Sequence, residues 1–223
     1  MCGSACDRPG RHVCAACLMR VPFAAQDGCC RVCGREVEGL AGEFLCGDCE
    51  ERRPGFDRAA SAVRFEEPAR SMLLQFKNAG HIWLSEDFAD WIEAAARARF
   101  DVIAVDAVLP MPVTTPHMMD RGYNQCAILA KGLAKRIGRR FAGDVLSRCG
   151  SPRRQAGLSE EARRENAKGT FAVTRPELAR GRTLLVVDDV MATGSTLSEC
   201  AKALKAAGAS RVLCATIARS IMT

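Results

Sequence analysis

The strongest constraint on the fold comes from residues 184–197, which read LLVVDDVMATGSTL. Four apolar residues open this string without alternation, a pattern that predicts a strand buried on both faces of a parallel sheet. Asp188 and Asp189, the acidic pair, follow at the point where such a strand would leave the sheet. A turn of small and hydroxylated residues comes next and leads into an amphipathic helix. The string therefore predicts a strand, a loop and a helix in direct succession.

The loop of this unit has the chemistry of a phosphate site. It brings backbone N–H groups to a helix N-terminus, where unpaired donors and the positive end of the helix dipole attract an anion. Because carboxylates would repel a phosphate, we expect the acidic pair to face sugar hydroxyls or Mg²⁺ instead. The simpler interpretation is a solvated acidic turn with a hydroxyl cap, but the order of the whole string favours a ligand site. The expected phosphate loop, here called the hydroxyl loop, consists of Ala192, Thr193, Gly194, Ser195 and Thr196.

Residues 184–197 resemble the signature of type I phosphoribosyltransferases, which bind phosphoribosyl pyrophosphate (PRPP). The resemblance implies that Asp188 and Asp189 contact the ribose hydroxyls, with Mg²⁺ nearby, and that the hydroxyl loop holds the 5′-phosphate. A Walker phosphate loop is excluded, because the sequence contains no Gly-x-x-x-x-Gly-Lys-Ser/Thr string.

Cysteine usage points to metal binding at the N-terminus. Nine of the 13 cysteines lie at or before Cys49, and in a reducing compartment such a cluster favours metal over disulfides. Two Cys-x-x-Cys pairs can complete one tetrahedral Zn²⁺ site, and a site made wholly of protein ligands is typical of a structural role. Unliganded thiols are the less favoured interpretation, because a segment with so few large apolar residues needs a staple to fold. The stronger expected site consists of Cys30, Cys33, Cys46 and Cys49.

A second zinc site is expected around Cys14 and Cys17. Cys2 and Cys6 are the candidates for its other ligands, although their spacing is one residue wider than in the usual knuckle. Cys29 or His12 could substitute for one of them.

Composition sets further limits. A chain of 223 residues has room for one substantial domain and a small one. The charge of +6 fits a polyanionic small molecule as well as nucleic acid. Aromatic residues make up only 5% of the chain, which disfavours a stacking surface for single strands. No apolar run approaches a membrane span and no signal peptide is recognisable, so we expect a cytoplasmic protein without membrane contact.

The remaining segments predict an α/β domain with a mostly parallel sheet and helices on both faces. Lys77 lies near the end of an expected helix, where it is either a favourable C-terminal cation or a phosphate contact. Arg121 could place a guanidinium near a pyrophosphate or could merely cap the helix that follows. Residues 148–168 are polar and rich in arginine, and they predict a long excursion, either a solvated loop or a functional one. The expected strands are 59–65, 101–109, 171–173 and 211–218, and the expected helices begin at Pro68, at Ser85 as N-cap, and after Gln125.

The order of these segments resembles the ComF family, which includes the GntX-like proteins. It is carried by the cysteine pairs, by Lys77 within Gln-Phe-Lys, by Leu-Pro-Met-Pro at residues 109–112, by Arg-Gly-Tyr-Asn-Gln at residues 121–125, and by residues 184–197. The resemblance implies a zinc-binding module at residues 1–53, a double zinc ribbon, and a phosphoribosyltransferase-like domain at residues 54–223. Cys-x-x-x-Cys replaces the family's first knuckle.

The resemblance also implies roles for residues outside the acidic pair. Met111 and Pro112 would contact the pyrophosphate, Lys77 and Arg121 would lie near it, and residues 148–168 would close over PRPP. The activity implied is Mg²⁺-dependent transfer of phosphoribose with release of pyrophosphate, to an acceptor that the sequence does not name.

Two alternatives stay open at this point. One is a PRPP or nucleotide sensor without turnover. The other is an accessory protein of DNA uptake, whose zinc module binds a partner protein or single-stranded DNA. The family resemblance suggests a link to competence, and the oligomeric state is not predicted.

Overall fold

A computed structural model gives the architecture of most of the chain. It describes residues 2, 6, 8–37, 39, 42, 44–78, 80–114, 118–119, 122–149 and 169–220.

A five-stranded sheet forms the centre of the molecule, and all four of its strand pairings are parallel. Its order is β1-β7-β6-β2-β3, so the strand of residues 183–191 lies in the middle. Residues 184–187 are fully buried, which confirms the prediction made from their unbroken apolar run. The central strands are β1 (Arg58–Arg64), β2 (Ala107–Pro110), β3 (Arg140–Phe141), β6 (Thr183–Met191) and β7 (Arg211–Arg219), and β4 (Leu146–Arg148) pairs antiparallel with β5 (Phe171–Val173).

Helices cover both faces of this sheet, as the sequence predicted. One face packs Leu185 and Val187 against α3, α4 and α5, and the other packs Leu184 and Val186 against α6. Successive strand residues point to opposite faces, so the run of four apolar residues supplies both halves of the core. The helices are α1 (Ala15–Leu18), α2 (Gly47–Glu51), α3 (Ala69–Asn78), α4 (Ser85–Arg99), α5 (Gln125–Ile137) and α6 (Ser195–Ala206).

The strand order creates a switch point between β2 and β6. The chain passes from β2 through α5 to β3 on one side, and from β6 through α6 to β7 on the other. In open parallel sheets, ligands bind in the crevice outside the carboxyl ends of the two strands at such a point.

Three sequence predictions are wrong in detail. Residues 101–109 are not one strand: a short 3₁₀ helix, Val102–Ala104, precedes β2, because the carboxylate of Asp101 accepts a bond from the backbone N–H of Ile103. Ser85 is not the N-cap of α4, since a 3₁₀ turn runs directly into that helix. Residues 171–173 pair with β4, not with the central sheet.

Two buried arginines join the cysteine-rich segment to the rest of the molecule. Arg99 of α4 donates to the carbonyl of Cys30 at 2.7 Å, and Arg219, at the end of β7, donates to the carbonyl of Cys33. Both side chains are more than nine-tenths buried. None of the helices in the described part of the chain has the length and apolar character needed to cross a membrane.

Candidate functional site

The acidic pair lies where β6 outruns its neighbour β2. The last contact between these strands is the bond from the N–H of Met111 to the carbonyl of Val187, at 2.8 Å. On its other side β6 stays paired with β7 as far as Met191. Asp188 and Asp189 are therefore held by one neighbouring strand and face the crevice left by the other.

Asp189 forms an ion pair with a residue distant in sequence. Its carboxylate lies 2.6 Å from the Nζ of Lys77 and accepts a 3.2 Å bond from the side-chain amide of Gln125. Although burial raises the pKa of Asp189, the charge and hydrogen bond of Lys77 outweigh it and hold this pKa below its usual value. Burial lowers the pKa of Lys77, but Asp189 reverses that effect and raises it. Both groups are therefore charged at neutral pH.

Asp188 has the opposite character. Burial, followed by the charge of Asp189, raises the pKa of its carboxyl group to about 7. Its partners are the thiol of Cys126, which donates at 3.3 Å, and the backbone N–H of Asp189 at 2.9 Å. The acidic pair therefore carries one firmly ionised carboxylate and one that titrates near neutrality.

The hydroxyl loop adopts the conformation that its glycine permits. Gly194 has φ 79°, and a Cβ added there would lie 2.6 Å from the terminal methyl group of Met191. The N-cap residue Gly194 has no side chain to cap α6, and the backbone N–H of Ser195 donates to the hydroxyl of Thr193 at 3.3 Å. The hydroxyls of Thr193 and Ser195 bond each other at 2.7 Å. The loop thus presents backbone and hydroxyl donors, while Ala192 and Thr196 are half-buried on either side.

The end of β2 is tied to the same crevice. Asn124 caps α5 by accepting from two backbone N–H groups, and its amide donates to the carbonyl of Met111 at 3.1 Å. Tyr123 donates to the carbonyl of Phe76, the residue before Lys77. Met111 is buried and Pro112 is half-buried. These bonds bring together three segments that the sequence singled out separately.

Some predicted site residues lie outside the described residues. Arg121 is one of them, and so is most of the expected arm, residues 150–168. The strands on either side of the arm form the β4–β5 pair, in which Arg148 packs over the ring of Phe171 at 5.3 Å. Burial lowers the pKa of Arg148, and the charge of Asp188 acts against this effect. The base of the arm therefore carries a cation near enough to Asp188 for the two charges to interact.

Four buried cysteines form the second cysteine cluster. The sulfur atoms of Cys30, Cys33, Cys46 and Cys49 all lie within 4.8 Å of one another. A tetrahedral zinc ion with Zn–S bonds of about 2.3 Å places its sulfurs about 3.8 Å apart, and the sulfurs of Cys33 and Cys46 are 3.7 Å apart. The cluster therefore has the ligands and the close spacing that a zinc ion needs.

Three cysteines form the first cysteine cluster: Cys2, Cys14 and Cys17. Their closest sulfur–sulfur distances, 3.5 and 3.4 Å, join Cys2 to the other two. Cys6 does not belong to this group, since its thiol donates to the carbonyl of Val13.

The two substitutes considered from the sequence are engaged elsewhere. Cys29 accepts from Arg99 at 2.9 Å, and the ring of His12 packs edge-on against Trp83. The described residues thus offer three ligands for the first cluster and four for the second.

Sequence reasoning missed three neighbours of the acidic pair. Gln125 belongs to the Arg-Gly-Tyr-Asn-Gln string, and that string was the available signal for it. Cys126 lies in the helix expected after Gln125, and Arg148 begins the expected arm, but neither was singled out. No local pattern distinguishes either residue, because their proximity to Asp188 arises from tertiary packing.

The sequence of the chain also resembles those of known proteins. Residues 124–221 match the family described as the phosphoribosyl transferase domain. Together with the parallel sheet and its switch point, this match defines a type I phosphoribosyltransferase-like protein. "Competence protein F" of Haemophilus influenzae is 30% identical over 188 residues, which cover 82% of this chain and 81% of that protein. "DNA utilization protein YhgH" of Salmonella typhi is 29% identical over 220 residues, covering 90% and 96%. The chain belongs to the ComF family.

Solved structures resemble the chain more distantly. An allosteric regulatory enzyme of purine biosynthesis has a TM-score of 0.39 at 17% identity, over 59% of this chain and 25% of that one. A hypoxanthine-guanine phosphoribosyltransferase of L. donovani has a TM-score of 0.35 at 14% identity, over 62% and 71%.

Proposed function

We propose that the protein is a phosphoribosyltransferase that binds PRPP with Mg²⁺ and transfers its phosphoribosyl group, releasing pyrophosphate. The observation that carries the proposal is the Lys77–Asp189 ion pair at the switch point, directly before the hydroxyl loop. One crevice thus contains a cation, two carboxylates and a set of hydrogen-bond donors for a phosphate group. Displacement at a ribosyl centre needs these groups for positioning and charge stabilisation.

In this proposal each segment binds one part of the donor. The hydroxyl loop and the N–H groups at the start of α6 hold the 5′-phosphate. The acidic pair accepts hydrogen bonds from the ribose hydroxyls. The ends of β2 and α3, at Met111, Pro112 and Lys77, lie beside the pyrophosphate, and Arg121 adds a second cation there.

The acidic pair also fits a magnesium ion. Hard cations prefer carboxylate and amide oxygens, and the side-chain oxygen of Gln125 is buried beside Asp189 without a hydrogen-bond partner. Mg²⁺ bound with PRPP would neutralise charge on the pyrophosphate. Ionised Asp189 keeps Lys77 oriented, and Asp188 must release its proton to accept a cation. We therefore expect Mg²⁺–PRPP affinity to rise with pH through about 7.

We further propose that this chemistry serves DNA uptake or utilisation, because the relatives that the chain matches are a competence protein and DNA utilization proteins. The second cysteine cluster supports a structural zinc ion, and a cytoplasmic location is expected for a PRPP-dependent enzyme. Under this proposal residues 1–53 act as the zinc module and residues 54–223 as the transferase domain.

Calorimetric titration of the zinc-loaded protein with PRPP, with and without Mg²⁺, tests the binding site. Saturable heat that requires Mg²⁺ is expected for the wild type. Thr193→Ala should weaken binding by about tenfold, through loss of a hydroxyl donor to a charged group. Thr174→Ala is the matched control, because Thr174 is an exposed threonine whose hydroxyl donates to the carbonyl of Asp144, away from the hydroxyl loop. Equal affinity of the two variants would contradict the assignment of the hydroxyl loop.

Turnover needs its own measurement. Pyrophosphate release from PRPP should occur with one class of acceptor in a screen of bases and amines. Tight PRPP binding without release from any acceptor would favour the alternative of a PRPP sensor.

A further inference from the structure

A cavity of about 430 Å³ lies between the second cysteine cluster and the N-terminal half of α6. Its walls come from two parts of the chain. The cysteine-rich segment contributes Cys33 and Cys49, and α6 contributes Ser198 and Lys202. Residues 193–195 of the hydroxyl loop form one end.

This cavity is separate from the proposed ribose and pyrophosphate contacts. Of the described residues, neither member of the acidic pair lines it, and Lys77, Met111 and Pro112 do not line it either. The cavity includes Arg219 at the end of β7, whereas Met111 and Pro112 follow β2 on the other side of β6. The hydroxyl loop is the element that both regions share.

Positive charge dominates the lining. Five cationic side chains face two carboxylates, and each carboxylate is already paired: Asp48 with Arg35 and Glu199 with Lys202, both at 2.6 Å. A zinc ion with four thiolates carries two negative charges, and the balance of the lining stays positive. The remaining cations are Arg53, Arg219 and Arg52, of which Arg52 also pairs with Glu51 at 3.2 Å outside the lining.

The loop end of the cavity supplies hydrogen-bond donors. The hydroxyls of Thr193 and Ser195 bond each other, and this single bond is readily replaced by bonds to an anionic oxygen. At the same end Arg219 is buried and already fixed by its bond to Cys33. Converging donors and cations at a helix N-terminus favour a phosphate group.

We propose that this cavity binds a phosphorylated small molecule of nucleotide size. A volume of about 430 Å³ is within the range of pockets that hold organic ligands and exceeds what a lone phosphate needs. The ligand's phosphate lies at the hydroxyl loop, and its organic part extends toward Pro54 and the exposed Arg53.

Binding in the cavity opposes PRPP binding. Both ligands draw on the hydroxyls of Thr193 and Ser195, and each hydroxyl can serve only one phosphate at full strength. Occupancy of the cavity therefore weakens PRPP affinity, and by linkage PRPP weakens the cavity ligand by the same factor. This opposition, though not the cavity site itself, rests on the proposed function.

Calorimetry with ADP as the probe, on the zinc-loaded protein in Mg²⁺-free buffer, tests the site. Arg53→Glu should lower ADP affinity about tenfold or more, through loss of a charged contact and added repulsion. Arg97→Glu is the matched control: Arg97 is also exposed, but it belongs to α4 on the other face of the sheet. Asp188→Asn should leave ADP affinity within about twofold, since Asp188 does not line the cavity.

The outcomes separate this proposal from the proposed function. Absence of ADP binding, equal ADP affinity of the Arg53 and Arg97 variants, or loss of ADP binding in Asp188→Asn would overturn the cavity site. PRPP titrations of the Arg53 variant should match the wild type, and added ADP should raise the apparent Kd for PRPP. A protein that binds ADP in an Arg53-dependent way but never binds PRPP would refute the proposed function alone.

Discussion

Replacing Asp188 by asparagine should stabilise the protein, and the gain should grow with pH. In the folded state the pKa of Asp188 is raised from 3.8 to about 7 by burial and by the charge of Asp189. Between these two values the unfolded chain has released the proton that the folded protein still holds. Because the folded state binds more protons there, stability falls as pH rises, and above about pH 7 the loss is complete. The side chain of asparagine does not ionise in this pH range, so the variant avoids this loss of stability.

The size of the effect follows from the two pKa values. Each unit of separation corresponds to about 1.4 kcal/mol, so ionised Asp188 lowers the free energy of unfolding by about 4 kcal/mol above pH 7. At pH 5 only about 1.6 kcal/mol has been lost. The advantage of Asp188→Asn over the wild type should therefore increase by about 3 kcal/mol between pH 5 and pH 8.

Urea unfolding at pH 5, 6, 7 and 8, in zinc-containing and Mg²⁺-free buffer, measures this difference. Titration of the cysteine clusters affects both proteins equally and cancels. Asp189→Asn is the matched control, because its carboxylate has a lowered pKa and stabilises the fold by pairing with Lys77. Asp189→Asn should be less stable than the wild type at pH 5, the opposite sign to Asp188→Asn, and this deficit should shrink toward pH 8, because the charge of Asp189 no longer raises the pKa of Asp188.

If the difference in the free energy of unfolding between Asp188→Asn and the wild type did not change with pH, this reasoning would be refuted. A variant less stable than the wild type at pH 8 would refute it as well. Either result would mean that Asp188 is ionised in the folded protein and that its charge is compensated. The same variant should lose Mg²⁺–PRPP affinity, because the proposed site needs the carboxylate.

Three further perturbations have defined outcomes. Lys77→Met leaves Asp189 buried without its cation and should cost about 3 kcal/mol of stability at pH 7 by urea unfolding, with a smaller loss at pH 5 as the carboxyl group takes up a proton. Gly194→Ala forces φ 79° on a residue with a Cβ, which would lie 2.6 Å from a methionine methyl group; it should lower stability by about 1–3 kcal/mol and weaken PRPP binding in calorimetry. Cys46→Ser should lower the zinc content by about one ion per chain in metal analysis, whereas the exposed Cys149→Ser should leave it unchanged.

The apolar pattern of the sequence was enough to predict the central part of the fold. Residues 184–187 are buried on both faces because their run has no polar alternation, and α5 begins after Asn124 because the side chain of that residue caps it. Residues 101–109 were misread because a local bond from Asp101 competes with strand formation. The strand propensity of the residues alone does not predict such competition.

The candidate site also has one part that the sequence predicts and another part that it does not. Asp188, Asp189 and the hydroxyl loop form one continuous string, so their order reveals them. Lys77 and Gln125 reach Asp189 from other segments. Cys6 was grouped with Cys2 by spacing alone, but its thiol donates to the carbonyl of Val13. Contacts that arise only from tertiary packing leave no pattern of residue spacing from which they could be predicted.

The pairing of β1 with β7 has a consequence for how the chain folds during synthesis. Arg58 of β1 pairs with Leu213 of β7, so β1 has no partner strand until roughly 150 further residues have been synthesised. The seven clustered cysteines all precede β1, so they are synthesised before any strand of the central sheet. Arg219, which anchors the second cluster, is synthesised after the other strands of that sheet. In a nascent chain the ligands of the second cluster are therefore all present before the sheet that supports them is complete.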